Sequence, residues 1–125
     1  MPELPDVTVY VERLRALTIG KPIESIKIAS PFVLRTVSPS AKELEGAKVA
    51  SVDRLGKRIV IGVPGPGGER FIVIHLMIAG RLRWTDKLNA SVPAKVGLAA
   101  FSFDHGTLLL VESSQQKRAS LHVIR

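Results

Sequence analysis

Residues 57–78 read KRIVIGVPGPGGERFIVIHLMI, and this stretch carries the clearest structural signal in the sequence. Two runs rich in Val and Ile, residues 57–63 and 70–78, flank a loop composed largely of Gly and Pro. Val and Ile favour extended backbone, whereas Gly and Pro mark tight connections. The stretch therefore predicts two strands joined by a hairpin loop.

Further runs of the same kind lie on both sides of this hairpin. They predict strands over residues 23–29, 32–37, 47–55, 80–84, 96–103 and 107–111, and residues 121–124 (LHVI) are a candidate last strand. The tripeptide DHG at 104–106 predicts a tight turn between two of them. Seven or eight short strands separated by turn signals are typical of a β-sandwich or barrel.

Two helices complete this prediction. Apolar residues recur at helical spacing near the N-terminus, at Val7, Tyr10, Val11, Leu14 and Leu17. Pro5 suits a first turn and Gly20 suits a C-terminal stop, which predicts a helix from Pro5 to Thr18. The stretch SPSAKELEG predicts a second, short helix. The expected fold class is mainly β (α+β): an antiparallel β-sandwich of about eight strands with an N-terminal helix and a short second helix.

Composition narrows the function classes. Eighteen Lys and Arg against eleven Asp and Glu give a formal charge of +7, which favours a polyanionic partner, nucleic acid before membrane. The absence of Cys excludes disulfides and thiolate zinc sites, and the three histidines are too scattered to form a metal site by spacing. We therefore expect no metal, no other cofactor and no membrane segment, and a cytoplasmic, nucleoid-associated protein.

The first residues, MPELPD, carry possible chemistry. Removal of the initiator methionine would leave Pro2 with a free secondary amine, whereas retention would leave Pro2 with an amide nitrogen. An α-amino group has a pKa of about 8, so a useful fraction is nucleophilic at neutral pH. Glu3 beside it could serve as a general acid or base on the same substrate. Taken alone, a motif this short is also an ordinary prelude to a helix.

Three motifs in order, MPELPDV, GKRIVI and IHLMIAGRLRW, resemble the N-terminal domain of the formamidopyrimidine-DNA glycosylase and endonuclease VIII family. The resemblance implies a base-excision repair enzyme that extrudes a damaged base, cleaves its glycosidic bond and nicks the strand. It implies that Pro2 attacks the sugar to form a Schiff base, that Glu3 donates a proton, and that Lys57 contacts phosphate and assists elimination.

The same resemblance suggests DNA-binding residues. The family's wedge methionine corresponds to Ile78, while Met77 lies one residue earlier and would face the opposite side of a strand. Basic residues that could approach DNA are Arg58, Arg81, Lys117 and Arg118. His75, within an apolar run, is interpreted as a core histidine. The expected partner is damaged double-stranded DNA, bound by a monomer.

The sequence also departs from the family. KVGLAAF at 95–101 and SSQQKRASL at 113–121 stand where the family has polar and aromatic DNA-binding motifs. The family's second half, a helix-two-turn-helix unit and a zinc or zincless finger, does not fit in 125 residues, so residues 1–125 are expected to form only the N-terminal domain. Two alternatives stay open: an inactive DNA- or lesion-binding module of the same fold, and a basic RNA- or protein-interaction domain.

Overall fold

A computed structural model describes residues 4–29, 41–65, 68–77, 80–93, 96–112 and 119–124 of the chain, without the side chains of 4–6 and 41. Helix α1 is followed by a strand, a 3₁₀ helix and seven further strands. Their bounds are α1 Leu4–Thr18, β1 Ser25–Ile28, the 3₁₀ helix Ala41–Leu44, β2 Ser51–Leu55, β3 Arg58–Gly62, β4 Phe71–His75, β5 Gly80–Thr85, β6 Gly97–Phe103, β7 Gly106–Glu112 and β8 Ser120–Ile124.

The strands form two antiparallel four-stranded sheets. The first sheet has the order β1-β6-β7-β5 and the second has the order β2-β3-β4-β8. Apolar side chains from the two sheets and from α1 make one hydrophobic core, in which Ile59, Ile74, Leu110 and Leu121 are fully buried. The sandwich predicted from the strand pattern is confirmed.

The hairpins predicted from Gly and Pro are also confirmed. β3 pairs with β4 across the PGPGGE loop, and β6 pairs with β7 across Asp104 and His105. The candidate last strand is present as β8, which pairs with β4 along its whole length. The strand predicted over residues 32–37 lies outside the described residues.

The β4 strand is shorter than predicted. It ends at His75 because the next residues form a turn, in which the Gly80 N–H donates to the Leu76 carbonyl over 2.9 Å. Met77 has a φ of +59° in this turn, a left-handed backbone that an extended strand does not contain. Strand alternation therefore does not extend to Met77 and cannot assign the face on which it lies.

Helix α1 follows the predicted boundaries closely. Val7, Val11 and Leu14 recur at a spacing of three to four residues and are buried against the core. At the end of the helix, the Thr18 hydroxyl donates to the Leu14 carbonyl over 2.6 Å, and Gly20 adopts a φ of +82°. The second helix is a single 3₁₀ turn at Ala41–Leu44. Among the described helices, none is long and apolar enough to cross a membrane.

Candidate nucleic-acid interface

Three chain segments meet at one end of the second sheet, and one of them carries the predicted site residues Lys57 and Arg58. The β2–β3 turn, the end of β4 and the start of β8 lie side by side, because Arg58 pairs with His75 and His75 pairs with Ser120. We call this region the basic end and define it by Lys57, Arg58, His75 and His122. Residue alternation places Arg58, His75 and His122 on the outward face of the sheet.

Lys57 lies at the tip of the β2–β3 hairpin. Leu55 pairs with Arg58, so Gly56 and Lys57 form a two-residue connection. Gly56 has a φ of +63°, the conformation that tight hairpin turns require at this position and that glycine adopts without strain. Lys57 is exposed and projects from a turn whose backbone is fixed by flanking strands, a suitable position for a side chain that contacts a phosphate.

His75 is half-buried on the outward face, so its interpretation as a core histidine is wrong. The apolar residues that enter the core from β4 are its neighbours Ile72 and Ile74, which lie on the other face of the strand. Burial lowers the pKa of His75, and the nearby charges of Arg58, Lys57 and His122 lower it further. The four side chains therefore share one electrostatic environment, which is positive and favours an anion.

Of the two predicted wedge residues, Met77 lies at the same end of the molecule. Met77 is the second residue after β4 and is half-buried in the turn closed by Gly80. Ile78 lies outside the described residues. A left-handed φ at a residue other than Gly, Asn or Asp is uncommon and often marks a functional turn.

The predicted basic residues are only partly brought together. Arg58 joins Lys57 in the second sheet, whereas Arg81 lies on β5 of the first sheet and its Nη1 donates to the Gly80 carbonyl over 2.8 Å. Arg58 and Arg81 are thus not on neighbouring strands. Lys117 and Arg118 lie outside the described residues, in the segment that leads into β8.

Glu112 is a residue that the sequence analysis missed. It is 1% exposed at the end of β7, and its Oε1 accepts a hydrogen bond of 2.8 Å from the Ala119 N–H. The side chain thus ties the last residue of the first sheet's β7 to the residue before β8 of the second sheet. A glutamate in a polar stretch, ESSQQ, gave no signal of burial.

Pro2 and Glu3 lie outside the described residues, but the helix that follows them is firmly held. Besides its core contacts, α1 is tied to β2 by Arg15, whose Nε donates to the Val52 carbonyl over 2.6 Å. A guanidinium nitrogen of Arg15 also lies 2.8 Å from Asp53 Oδ1. Within the described part of the chain, no group of three His, Asp or Glu side chains is placed to hold a metal ion.

The sequence and the fold together define a class of protein. Residues 1–119 match the profile of the formamidopyrimidine-DNA glycosylase N-terminal domain. A formamidopyrimidine-DNA glycosylase from Solibacter usitatus is 35% identical over 117 residues, which cover 92% of this chain and 41% of that protein. Its counterpart from Mycoplasma genitalium is 26% identical over 118 residues, or 93% of this chain and 40% of that protein.

Solved structures agree with this relationship. A crystal structure of an LlFpg mutant with a THF-containing DNA superposes with a TM-score of 0.85 at 26% identity, over 98% of this chain and 43% of that chain. The Lactococcus lactis Fpg complex with an abasic-site DNA has a TM-score of 0.83 at 24% identity, over the same shares of both chains, and supports the fold. The chain belongs to the formamidopyrimidine-DNA glycosylase family and corresponds to its N-terminal domain. It spans about two fifths of the length of the curated relatives it matches.

Proposed function

We propose that this chain supplies the nucleophile and part of the DNA-binding surface of a base-excision glycosylase with lyase activity. The observation that carries the proposal is the position of Lys57. The lysine of the family-like GKRI motif lies exposed at a fixed hairpin tip, next to Arg58 and His75. The partner would be damaged double-stranded DNA in the nucleoid, bound by a monomer.

The chemistry begins at Pro2. After removal of Met1, the secondary amine of Pro2 attacks the sugar C1′, the glycosidic bond breaks, and the damaged base leaves with a proton. Glu3 donates a proton to the sugar ring oxygen as the ring opens, which yields an iminium between Pro2 and C1′. Loss of a proton from C2′ then expels the 3′ phosphate, and Lys57 stabilises the charge on that phosphate.

The geometry of α1 supports this assignment. A nucleophile needs a fixed position relative to the phosphates, and a frayed terminus would not provide one. The helix that follows Pro2 and Glu3 begins at Leu4 and is anchored by three buried residues and by Arg15. The terminus therefore extends from a rigid element.

The remaining contacts are proposed to hold and distort the duplex. Arg58, Arg81, Lys117 and Arg118 would contact phosphates, which adds affinity without sequence preference. Ile78, assisted by Met77, would enter the space left by the extruded base, since an apolar wedge works by unstacking neighbouring bases. The strained turn at Met77 would present this wedge.

Borohydride trapping tests the covalent step. The chain is incubated with an abasic-site duplex and sodium borohydride, and the intact mass is measured. We expect a single adduct on the protein that has lost Met1, and no adduct with Pro2→Gly. Glu3→Gln should abolish strand cleavage with little change in DNA affinity.

A matched pair of lysine variants tests the basic end. Lys57→Ala should weaken duplex binding at every sequence and lower the slope of log affinity against log salt by about one. Lys48→Ala, at an exposed lysine far from the basic end, should leave the duplex affinity and its salt slope unchanged. No adduct on methionine-free wild-type protein would overturn the covalent proposal, whereas equal salt slopes for the two variants would overturn the role of Lys57.

One observation favours a second candidate, a DNA- or lesion-binding module without catalysis. The segment that departs from the family, KVGLAAF, forms the start of β6, where Leu98, Ala99, Ala100 and Phe101 are all buried. These residues therefore serve packing and cannot replace polar DNA contacts. Duplex binding that is preserved in Glu3→Gln, together with no trapping by the wild-type protein, would favour this module.

A further inference from the structure

A groove that the proposed function does not use lies between α1 and β5. It encloses a cavity of about 420 Å³, within the range of ligand sites in proteins. Its floor is formed by Leu14, Leu82 and Leu108, which are buried. It is distinct from the basic end, because β5 belongs to the first sheet and Lys57 belongs to a hairpin of the second.

The groove exists because α1 carries two apolar stripes. Val7, Val11 and Leu14 face the core, while Tyr10, Leu14 and Leu17 recur at i, i+4 and i+7 and line the groove. Val9 adds an aliphatic side chain that is 53% exposed at the groove. A second apolar stripe on a surface helix is typical of a helix that has a partner on that side.

Trp84 forms the aromatic wall of the groove. Its ring lies 4.9 Å from the His105 ring and 5.9 Å from the Phe103 ring, measured between centroids. His105 Nε2 is in turn 2.7 Å from the Leu17 carbonyl at the end of α1. These contacts fix the indole beside the helix, and a preformed aromatic wall lowers the entropic cost of binding.

Two arginines give the groove its charge. Arg13 on α1 and Arg83 on β5 both line it and are exposed. In the described part of the chain, neither guanidinium is paired with a carboxylate. Trp and Arg next to a buried apolar floor are the residue types that dominate binding energy at protein interfaces.

We propose that this groove binds an acidic amphipathic segment of a partner protein. Apolar side chains of the segment would lie on Leu14, Leu82 and Trp84, and flanking carboxylates would pair with Arg13 and Arg83. A second copy of this chain is disfavoured because each copy carries a formal charge of +7. Nucleic acid is disfavoured because a mostly apolar lining with two cations gives few phosphate contacts.

Peptide selection with a counter-selection tests the proposal. A displayed library of random peptides is selected on the wild-type chain and depleted on Val9→Asp, which places a carboxylate at the groove on an exposed helix position. Enriched peptides are synthesised without Trp, so that the fluorescence of Trp84, the single tryptophan of the chain, reports binding. Circular dichroism confirms that each variant is folded.

We expect enriched peptides that combine Leu or Phe with flanking Asp or Glu and that change Trp84 fluorescence saturably. Arg13→Glu and Arg83→Glu should each weaken binding at least about tenfold, as loss of a charge-assisted interfacial contact does. Lys48→Glu reverses a charge on an exposed lysine outside the groove and should leave binding unchanged.

Four results would overturn the proposal. The first two are a lack of enrichment over the counter-selected variant and an enrichment of basic peptides. The third is single-stranded DNA that displaces the peptides and changes Trp84 fluorescence saturably. The fourth is a Trp84 signal that depends on protein concentration alone. The last two would assign the groove to nucleic acid or to a second copy of this chain.

Discussion

The two sheets of the sandwich bury their residues differently. In the second sheet, burial alternates along β4, with Ile72 and Ile74 facing the core and their neighbours partly exposed. In the first sheet, the central strand β6 is buried from Leu98 to Phe103 on both faces. The outward face of the second sheet is therefore accessible to a ligand. The centre of the first sheet, at β6, has no accessible face.

The connection between β5 and β6 covers the outward face of the first sheet. The Ala90 N–H donates to the Thr107 hydroxyl over 3.1 Å, and that hydroxyl donates to the Lys87 carbonyl over 2.9 Å. Ala90 itself is 5% exposed. The centre of the first sheet is therefore packed on both faces, while the outward face of the second sheet carries Arg58, His75 and His122.

The largest change in stability is expected where a core position is compared with a position on the outward face of the second sheet. Leu110→Ala, at a fully buried position in the centre of β7, should lower the free energy of unfolding by about 2–5 kcal/mol, through lost burial and a cavity. Val60→Ala, on the outward face of β3, should lower it by about 1 kcal/mol or less. Urea unfolding followed by circular dichroism measures both values.

The contrast between the core and the outward face would be wrong if the two substitutions lowered the free energy of unfolding equally. The difference should persist at high salt, because packing is not screened. Duplex affinity of folded Leu110→Ala should stay near that of the wild type, since the residue lies away from the basic end.

A smaller effect is expected at the contact that joins the sheets. Glu112→Ala leaves the buried Ala119 N–H without its acceptor, which should lower the free energy of unfolding by about 1–3 kcal/mol. Glu112→Gln keeps an acceptor oxygen and should cost clearly less. Glu69→Ala, at an exposed glutamate in the β3–β4 loop, is the control and should change stability by about 0.5 kcal/mol or less.

The relative cost of the two Glu112 variants identifies what the side chain does. If Glu112→Gln and Glu112→Ala are equally destabilising, the negative charge, and not the hydrogen bond, holds this end of the sandwich together. Duplex affinity of both variants then shows whether the segment that carries Lys117 and Arg118 depends on this contact.

Much of the fold could be predicted because short-range patterns agree with it. The Gly- and Pro-rich loop, the β-branched runs and the helical spacing of Val7, Val11 and Leu14 act locally, so their reading does not require the tertiary structure. The end of β4 could not be predicted, since it depends on the contact of Gly80 with Leu76. A Cβ at Gly80 would collide with that carbonyl and lie 2.9 Å from the Ala119 Cβ, so the turn requires glycine there.

The site could be predicted where local sequence motifs identify its residues. Lys57 and Met77 belong to motifs that can be recognised in sequence, but the grouping of Lys57 with His75 and His122 comes from strand register. Period-two patterning identifies a strand without stating which strand lies beside it. Glu112 was missed because its burial results from the meeting of the two sheets.

The smallest expected effect concerns pH and the basic end. Burial and the charges of Arg58, Lys57 and His122 lower the pKa of His75 below its ordinary value of 6.5, so His75 is largely neutral at pH 7. If a DNA phosphate approaches the basic end, it favours the imidazolium, and binding takes up a proton. Duplex affinity should therefore rise as the pH falls below 6.5, by at most about tenfold per unit increase in the pKa.

The stability of the free domain should change in the opposite direction. The unfolded chain binds the His75 proton more readily than the folded chain, so this contribution to stability is complete above pH 6.5 and decreases as the pH falls through the lowered folded pKa. His75→Gln should remove both dependences, whereas His105→Gln, at the β6–β7 turn, should leave the affinity profile unchanged. Affinity profiles that coincide for wild type and His75→Gln would show that no phosphate reaches His75, and would move the DNA contact of the second sheet away from its outward face.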